Sequence, residues 1–172
     1  MEIPAHVQRA LTTLLHEVLE GPPGREAYML NGGDRGLLGS LDALSAADAS
    51  VVGPNGSSIA AHVDHIRYGL SLMNRWSEGE NPFATADWSL SWRRTTVTDD
   101  EWTALRFELR NEANRWKQVL GTPRSVSDIE LTGMIGSVAH TAYHLGAIRQ
   151  MQPSARGPRD PKSDAHKPAG GA

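Results

Sequence analysis

Apolar residues recur at intervals of three and four in five separate segments of this sequence, and almost no segment alternates apolar and polar residues as a β-strand does. The first segment covers residues 4–20, with Leu11 and Val18 among its apolar positions. Clusters of glycine and proline at residues 21–24 and 53–56 end the first two periodic segments. Amphipathic helices with short connections can bury their apolar faces only against one another, so the sequence predicts an all-α fold, a helical bundle.

The middle of the chain contains two more helical segments and a long loop. The second predicted helix follows the turn-forming residues 31–34, and the third begins after Ser57 and Ser58, whose side chains can cap it. A polar and aromatic loop at residues 80–97 then separates the third helix from the fourth. Its tryptophans, Trp88 and Trp92, are expected over a bundle end or a pocket mouth, and a purely structural role explains them equally well.

The last two helices have the clearest start signals. Thr98 and Glu101 form a capping-box pair, and Ser127 and Glu130 repeat that pair before the final helix. The final apolar pattern continues to Met151. The sequence therefore predicts four main helices and an extra one.

Length and composition indicate one folded domain, which we place at residues 1–152. A chain of 172 residues with 39% hydrophobic and 22% charged positions fits a single globular domain. Residues 153–172 contain four prolines, three glycines and no apolar side chain larger than alanine. Such a segment cannot bury enough surface to order itself, so we predict a disordered C-terminal tail.

Charge and composition exclude several functions. Seventeen Lys and Arg against twenty Asp and Glu give a net charge of -3, which argues against a nucleic-acid partner because no excess of cations is present to bind phosphates. The chain has no cysteine, so a metal would have nitrogen and oxygen ligands. No run approaches about 18 apolar residues, and the amino terminus lacks the features of a secretory signal, so we expect a cytoplasmic protein without a membrane span.

Four of the seven histidines fall in two close pairs. His140 and His144 are four residues apart on the last helix, so their Cβ atoms lie about 5 to 6 Å apart on one face, where two imidazoles can share a metal ion. They align with small and apolar residues such as Gly133, Gly136 and Ile148, which predicts an interior stripe. Buried imidazoles without partners cost about 1 to 3 kcal/mol each, so we expect a metal or hydrogen-bonding side chains to bind them.

The second pair, His62 and His65, lies on the third helix. A helical wheel places His62 near the middle of the apolar face and His65 towards its edge, and either could reach a facing helix. Bundle proteins build metal sites from histidines that point inward from two helices. His6, His16 and His166 have no partner pattern and are expected to be ordinary surface residues.

The segments GSSIAAHVDHIRYGLSLMNRW and GMIGSVAHTAYHLGAIRQM resemble the DinB-like (DinB/YfiT) superfamily of metal-dependent enzymes, and the resemblance extends through the ordered body. It implies a four-helix bundle of up-down-down-up topology, here with an additional N-terminal helix. It also implies a divalent metal held by three histidines, which fall on His65, His140 and His144. His62 is then the alternative ligand, a residue that supports the ligands or lines the pocket, or a packed core histidine.

Three imidazole ligands leave a divalent ion with open positions for water or substrate. Such an ion can lower the pKa of bound water or hold a thiolate as a nucleophile. Nitrogen ligands suit zinc, nickel, iron or copper, and the resemblance favours zinc or nickel. No carboxylate stands out beside the ligands, since Asp64 points away from His65 and Glu130 is a cap, which favours thiol transfer over hydrolysis.

The resemblance implies an enzyme that transfers a low-molecular-weight thiol, of bacillithiol or mycothiol type, to a small electrophile. The alternatives are a metal-dependent hydrolase of a small molecule and a non-catalytic bundle that binds a metal or an apolar ligand or simply dimerises. A homodimer is compatible with a bundle of this size, but the sequence marks no interface. The side chains that could bind substrate, although each also fits a surface or packing role, are Arg67, Tyr143, Arg149 and Gln150.

Overall fold

The computed structural model describes residues 3–24, 26–54 and 56–159. These residues form an all-helical protein, as the sequence predicts, and the only β-pairing among them is an isolated bridge between Val52 and Ser58. None of the helices in these ranges combines the length and apolar character needed to cross a membrane. The α-helices are α1 (Ala5–Glu20), α2 (Gly36–Asp42), α3 (Ala46–Ala49), α4 (Ile59–Ser77), α5 (Asp99–Gly121) and α6 (Asp128–Met151).

The four long helices pack around one core. α4 packs against α5 and α6, and α1 packs against the same two helices. Leu15, Ile66, Leu105 and Trp116 are among the buried side chains between them. Each such side chain stabilises the fold by about 1.5 to 3 kcal/mol relative to an exposed position.

Both predicted capping boxes are confirmed. The hydroxyl of Thr98 accepts a hydrogen bond from the backbone N–H of Glu101, and the Glu101 carboxylate accepts one from the Thr98 N–H. Ser127 and Glu130 make the same reciprocal pair at the start of α6. A cap of this kind stabilises a helix by about 1 kcal/mol, because it satisfies N–H groups that have no partner within the helix.

The number and roles of the short helices differ from the prediction. The second predicted helix is two helices, because the chain turns after α2 and Ser45 starts α3 with a capping box to Asp48. The N-terminal helix is not the additional one, since α1 packs with the long helices and the extra elements are α2 and α3. The periodicity of the leucines could not reveal this break, because Leu44, within the connection, is buried like Leu41 of α2.

The loop between α4 and α5 packs on α4. It contains two short 3-10 helices, Pro82–Ala84 and Leu90–Trp92, and both contact α4. The indole of Trp102 at the start of α5 donates a hydrogen bond to the carbonyl of Leu44, which fixes the far end of this connection. The predicted loop therefore has a defined path across the outside of α4.

The folded body extends beyond residue 152, where the sequence placed its end. Pro153–Ala155 form a 3-10 helix whose Ala155 is buried, and the Asn31 side chain donates a hydrogen bond to the Pro158 carbonyl. The backbone at Gly157 lies against the Asp34 carboxylate and leaves no room for a Cβ atom. Composition missed this packing because backbone groups and an alanine make it. Residues 160–172 of the predicted tail lie outside the described residues.

Candidate metal centre

Two helices place four histidines in one cluster. α4 contains His62 and His65 one turn apart, and α6, which packs against α4, contains His140 and His144. His62, His65 and His144 are buried, and His140 is half-buried. The helical spacing within each pair explains why both members of a pair can face the same neighbouring helix.

The Nε2 atoms of three of these imidazoles converge. The Nε2 atom of His140 lies 3.0 Å from Nε2 of His65 and 3.0 Å from Nε2 of His144. One nitrogen from each of the three residues lies within 4.8 Å of the others, so together they could hold a metal ion. This group contains no carboxylate, and it is the same set of three that the resemblance implies.

The hydroxyl of Ser91, in the 3-10 helix Leu90–Trp92, fixes the tautomer of His65. Its oxygen lies 2.9 Å from Nδ1 of His65 and 2.8 Å from the carbonyl oxygen of Trp88. A hydroxyl has one hydrogen, which it must donate to the carbonyl because a carbonyl can only accept. Nδ1 of His65 is therefore the donor to Ser91, and Nε2 directs a lone pair into the cluster.

His62 stands in the same relation to His144. Nδ1 of His62 lies 2.8 Å from Nδ1 of His144, and Nε2 of His62 lies 3.3 Å from the hydroxyl oxygen of Ser57. If Nδ1 of His144 donates to His62, then Nε2 of His62 is free to donate to Ser57. In that arrangement Nε2 of His144 keeps a lone pair directed at His140, and the reverse arrangement, in which Ser57 donates to His62, places a hydrogen on it.

The geometry suits a cation bound by three imidazoles. Two imidazole nitrogens about 3 Å apart are held together either by a shared hydrogen or by a cation between them. Two nitrogens at that separation can both lie about 2.0 to 2.1 Å from a common point, which is the usual length of a zinc–nitrogen bond. Fixing the outer nitrogen of a ligating histidine by a hydrogen bond is a regular feature of metal sites. The residues present therefore fit a divalent metal.

Burial keeps these histidines neutral. Removal from water lowers the pKa of His144 to about 3, with smaller contributions from the neighbouring histidines. The same desolvation, followed by the effect of His140, lowers the pKa of His65 to about 4. Burial also lowers the pKa values of His62 and His140. A neutral imidazole is the form that binds a metal ion, so the site is ready for one at physiological pH.

Two tryptophans from the loop cover the cluster. The indole ring of Trp92 stacks on the imidazole of His65 at a centroid distance of 4.4 Å, and it meets His62 edge-on at 5.1 Å. The ring of Trp88 lies 5.4 Å from that of His65. The predicted position of these tryptophans at a pocket mouth therefore fits, because they form the wall between the histidines and solvent.

Two cavities each have one histidine of the cluster in their wall. The first, which we call the apolar pocket, has a volume of about 710 Å³ and lies between α4, the loop and the first half of α6, with His140 in its wall. The second, which we call the polar cavity, has a volume of about 540 Å³ and includes Ser57, His62, Trp92 and Tyr143. Both volumes are in the range of small-molecule sites.

The structure separates the other predicted site residues into two groups. Tyr143 and Gln150 line the polar cavity. Arg67 instead pairs with Asp64, and Arg149 pairs with Asp34, so neither guanidinium is available for a substrate. The predicted interior stripe of α6 is only partly interior, because Gly136 is exposed in the wall of the apolar pocket, whereas Gly133 packs closely against Trp76.

Ser57 and Ser91 escaped prediction as parts of the site. A serine in a loop has no spacing signal, and only the path of the loop brings Ser91 to His65. Of the histidines expected at the surface, His6 is exposed and His16 is half-buried beside Glu20, while His166 lies outside the described residues.

No family model matches the sequence, and neither a curated protein nor a solved structure matches it. The function is therefore inferred from the histidine cluster and the two cavities beside it.

Proposed function

We propose that the protein binds one divalent metal ion, zinc or nickel, through Nε2 of His65, His140 and His144 and is a metal-dependent transferase. The reaction we propose adds a low-molecular-weight thiol to a small electrophile. The observation that supports this most strongly is the convergence of three imidazole nitrogens, two of them 3.0 Å from the third, in a buried cluster between two cavities. Three protein ligands leave coordination positions for a reactant.

The surroundings favour thiol transfer over hydrolysis, because the two acidic side chains that flank the ligands in the sequence, Asp64 and Glu130, are already used. The Asp64 carboxylate is paired with Arg67 at 2.7 Å and with Arg94 at 3.3 Å. Glu130 caps α6. A hydrolase of this kind would use a carboxylate or a free histidine as general base, whereas a thiol that ionises at a metal needs none.

The chemical step is a substitution at carbon. The sulfur–carbon bond forms, the bond from that carbon to the leaving group breaks with its electron pair, and the thiol proton departs with the leaving group. A bound divalent ion supplies the acidity that ionises a coordinated thiol near neutral pH. Ser91 and His62 hold the outer nitrogens of two ligands, and the tryptophans of the loop keep water away from the cluster.

We also propose that the chain is a DinB-like four-helix bundle of up-down-down-up topology. Two observations support this: each of the long helices α1, α4, α5 and α6 packs against two of the others, and the histidines at the positions implied by the resemblance lie together. An experimental structure with the metal bound tests both the helix order and the ligand set.

The first experiment is elemental analysis of the full chain purified without an affinity tag or chelator, beside the variants His140→Ala and His144→Ala. We expect about one equivalent of zinc or nickel in the wild type and none in the variants, because two imidazoles hold an ion far less tightly than three. His6→Ala is the matched control, since His6 is exposed on α1, and it should retain the metal. Full metal content in both α6 variants would overturn the site.

A second experiment tests the reaction. The metal-loaded protein is incubated with chlorodinitrobenzene and, in turn, bacillithiol, mycothiol and glutathione, and thioether formation is followed by absorbance. We expect a rate above the uncatalysed background with at least one thiol and none in His140→Ala. Hydrolysis of a nitrophenyl ester in the absence of any thiol, with no thioether formed, would instead support the hydrolase.

A further inference from the structure

The walls of the apolar pocket are mostly apolar and aromatic side chains. Leu70, Met73 and Trp76 of α4 face it from one side, and Phe83 and Trp88 of the loop close it from another. The rings of Trp76 and Phe83 meet edge-on at a centroid distance of 5.3 Å. Phe83 and Trp88 are each about two-fifths exposed, so part of each aromatic ring is open to a molecule in the pocket.

The polar groups of this pocket are few and uncharged. Among the described residues that line it there is no Asp, Glu, Lys or Arg. The hydroxyl of Ser137 is already used, since it donates to the carbonyl of Met134 and accepts from the indole N–H of Trp116. A charged ligand would lose its hydration in this pocket without gaining an ion pair, so the lining selects against it.

Glycines connect the pocket with the histidines. A Cβ atom at Gly69 of α4 would lie 3.7 Å from Cε1 of His140 and 3.6 Å from the ring of Trp88, so the absence of a side chain there leaves the inner end of the pocket open beside the imidazole. Gly136 on α6 lines the same pocket and has no atom within 4 Å of the position of a Cβ. A molecule in the pocket therefore lies against a proposed metal ligand.

We infer that the apolar pocket binds an uncharged aromatic molecule and holds it against His140. The inference names the class of electrophile for the proposed function and rests on that function for the role of the bound molecule. Binding of the aromatic molecule depends only on the apolar pocket and does not require the proposed metal or reaction. A volume of about 710 Å³ accommodates two or three fused or linked rings, and the aromatic walls offer edge-on and stacked contacts to them.

A matched pair of fluorescent probes tests the inference. N-phenylnaphthylamine is uncharged, whereas anilinonaphthalene sulfonate has nearly the same rings and a negative charge. Each is titrated into the full chain, once metal-free and once zinc-loaded, and the fluorescence increase gives the Kd. We expect the uncharged probe to bind at least tenfold more tightly in both forms. Equal affinities, or tighter binding of the sulfonate, would overturn the inference.

A pair of glycine substitutions locates the bound probe. Gly136→Leu puts a side chain into the apolar pocket, and Gly146→Leu makes the same change two to three turns later on α6, outside both cavities. Neither Cβ meets another atom within 4 Å, and both changes favour the helix, so both variants should fold. We expect Gly136→Leu to weaken binding of the uncharged probe at least tenfold and Gly146→Leu to leave it unchanged. Unchanged binding in Gly136→Leu would place the probe elsewhere and overturn the inference.

The two proposals can fail separately. Probe binding with the expected selectivity in a protein that takes up no metal would leave the pocket assignment intact and remove the proposed enzyme. One equivalent of metal in a protein that binds neither probe would retain the metal centre and remove the aromatic ligand.

Discussion

Two clusters of buried polar groups lie along α6, and they differ in how completely the chain satisfies them. Near the end of the helix, the guanidinium of Arg149 binds both oxygens of Asp34, at 2.6 and 2.9 Å, and also donates to the hydroxyl of Ser40. The backbone N–H of Gly36 donates to the same carboxylate. Opposite charges and full hydrogen bonding make this cluster self-sufficient.

The histidine cluster lies less than three turns earlier on α6, and among the described residues its inner nitrogens have only one another as hydrogen-bond partners. Ser91 and His62 bind the outer nitrogens of two imidazoles, whereas the inner nitrogens face one another. The comparison teaches how to separate structural from functional polar groups. A buried charge paired with an opposite charge is satisfied without a ligand, whereas neutral nitrogens that converge from three imidazoles can exchange their mutual hydrogen bonds for a bound cation.

The largest effect we expect is on the free energy of unfolding, when the cation of the Arg149–Asp34 ion pair is removed. Arg149→Met leaves the Asp34 carboxylate, whose side chain is 2% exposed, without its cation, and should lower the free energy of unfolding by about 3 kcal/mol. Urea unfolding measures this. Arg110→Met is the control, because Arg110 pairs with Asp42 in solvent and should cost less than about 1 kcal/mol. Equal losses in the two variants would contradict the self-sufficient role of the Arg149 pair.

The second effect is stabilisation by the metal. Zinc at about one hundred times its Kd should raise the free energy of unfolding of the wild type by about 2.7 kcal/mol, because the ion binds only the folded site. The same zinc concentration should leave His144→Ala unchanged, since that variant lacks one converging nitrogen. Thermal unfolding of chelator-treated protein with and without zinc checks both. Stabilisation of His144→Ala by zinc would show that the ion binds elsewhere.

The third effect is the response of the metal-free protein to acid. Because burial lowers the pKa values of His65 and His144 to about 4 and 3, the unfolded chain binds more protons than the folded one below a pH of about 6.5. The contribution of these two histidines to the free energy of unfolding is therefore fully present above that pH. It is lost as the pH falls towards their pKa values in the folded protein. We expect a loss of roughly 1 kcal/mol per histidine between about pH 7.5 and 5.5.

Urea unfolding at the two pH values measures that loss. A double variant, His65→Leu with His144→Leu, should show a much smaller decrease, since leucine does not titrate. An identical decrease in this variant would assign the acid sensitivity to other groups.

The smallest effect concerns His62, which touches a proposed ligand but does not share the converging nitrogens. His62→Ala should weaken zinc binding about tenfold by releasing the outer nitrogen of His144, whereas His65→Ala should abolish it. His62→Gln, whose amide oxygen can still accept a hydrogen bond, should recover part of the affinity. Competition with a chelating dye gives the Kd values. A larger loss in His62→Ala than in His65→Ala would make His62 the ligand.

Local signals in the sequence predicted most of the helices. The capping boxes at Thr98 and Ser127 define the starts of α5 and α6, because side chain and backbone within four residues make the whole motif. The break between α2 and α3 was missed, since the cap at Ser45 uses an aspartate and the leucine spacing runs across it. The order of packing among the long helices has no local signal at all.

Only part of the candidate site could be predicted from the sequence. The spacing of His140 and His144 places both on one face of a helix whatever the fold, so that pair could be identified directly. Spacing alone could not choose between His62 and His65, because the two lie one turn apart on the same helix and both are buried. A helical wheel favours His62, whereas His65 is the residue that contacts His140. The side-chain directions that decide it depend on the neighbouring helix and loop.

The sequence by itself determined the helical class, the main helix boundaries and the histidine pair of α6, since each depends on residues a few positions apart. The tertiary structure decided everything that depends on distant segments meeting. Only the packing of α4 against α6 brings His65 to His140, and only the path of the loop places Ser91 and Trp92 over them. The apolar pocket likewise exists only where α4, the loop and α6 leave a gap, and the order of residues alone does not show where packed elements leave a cavity.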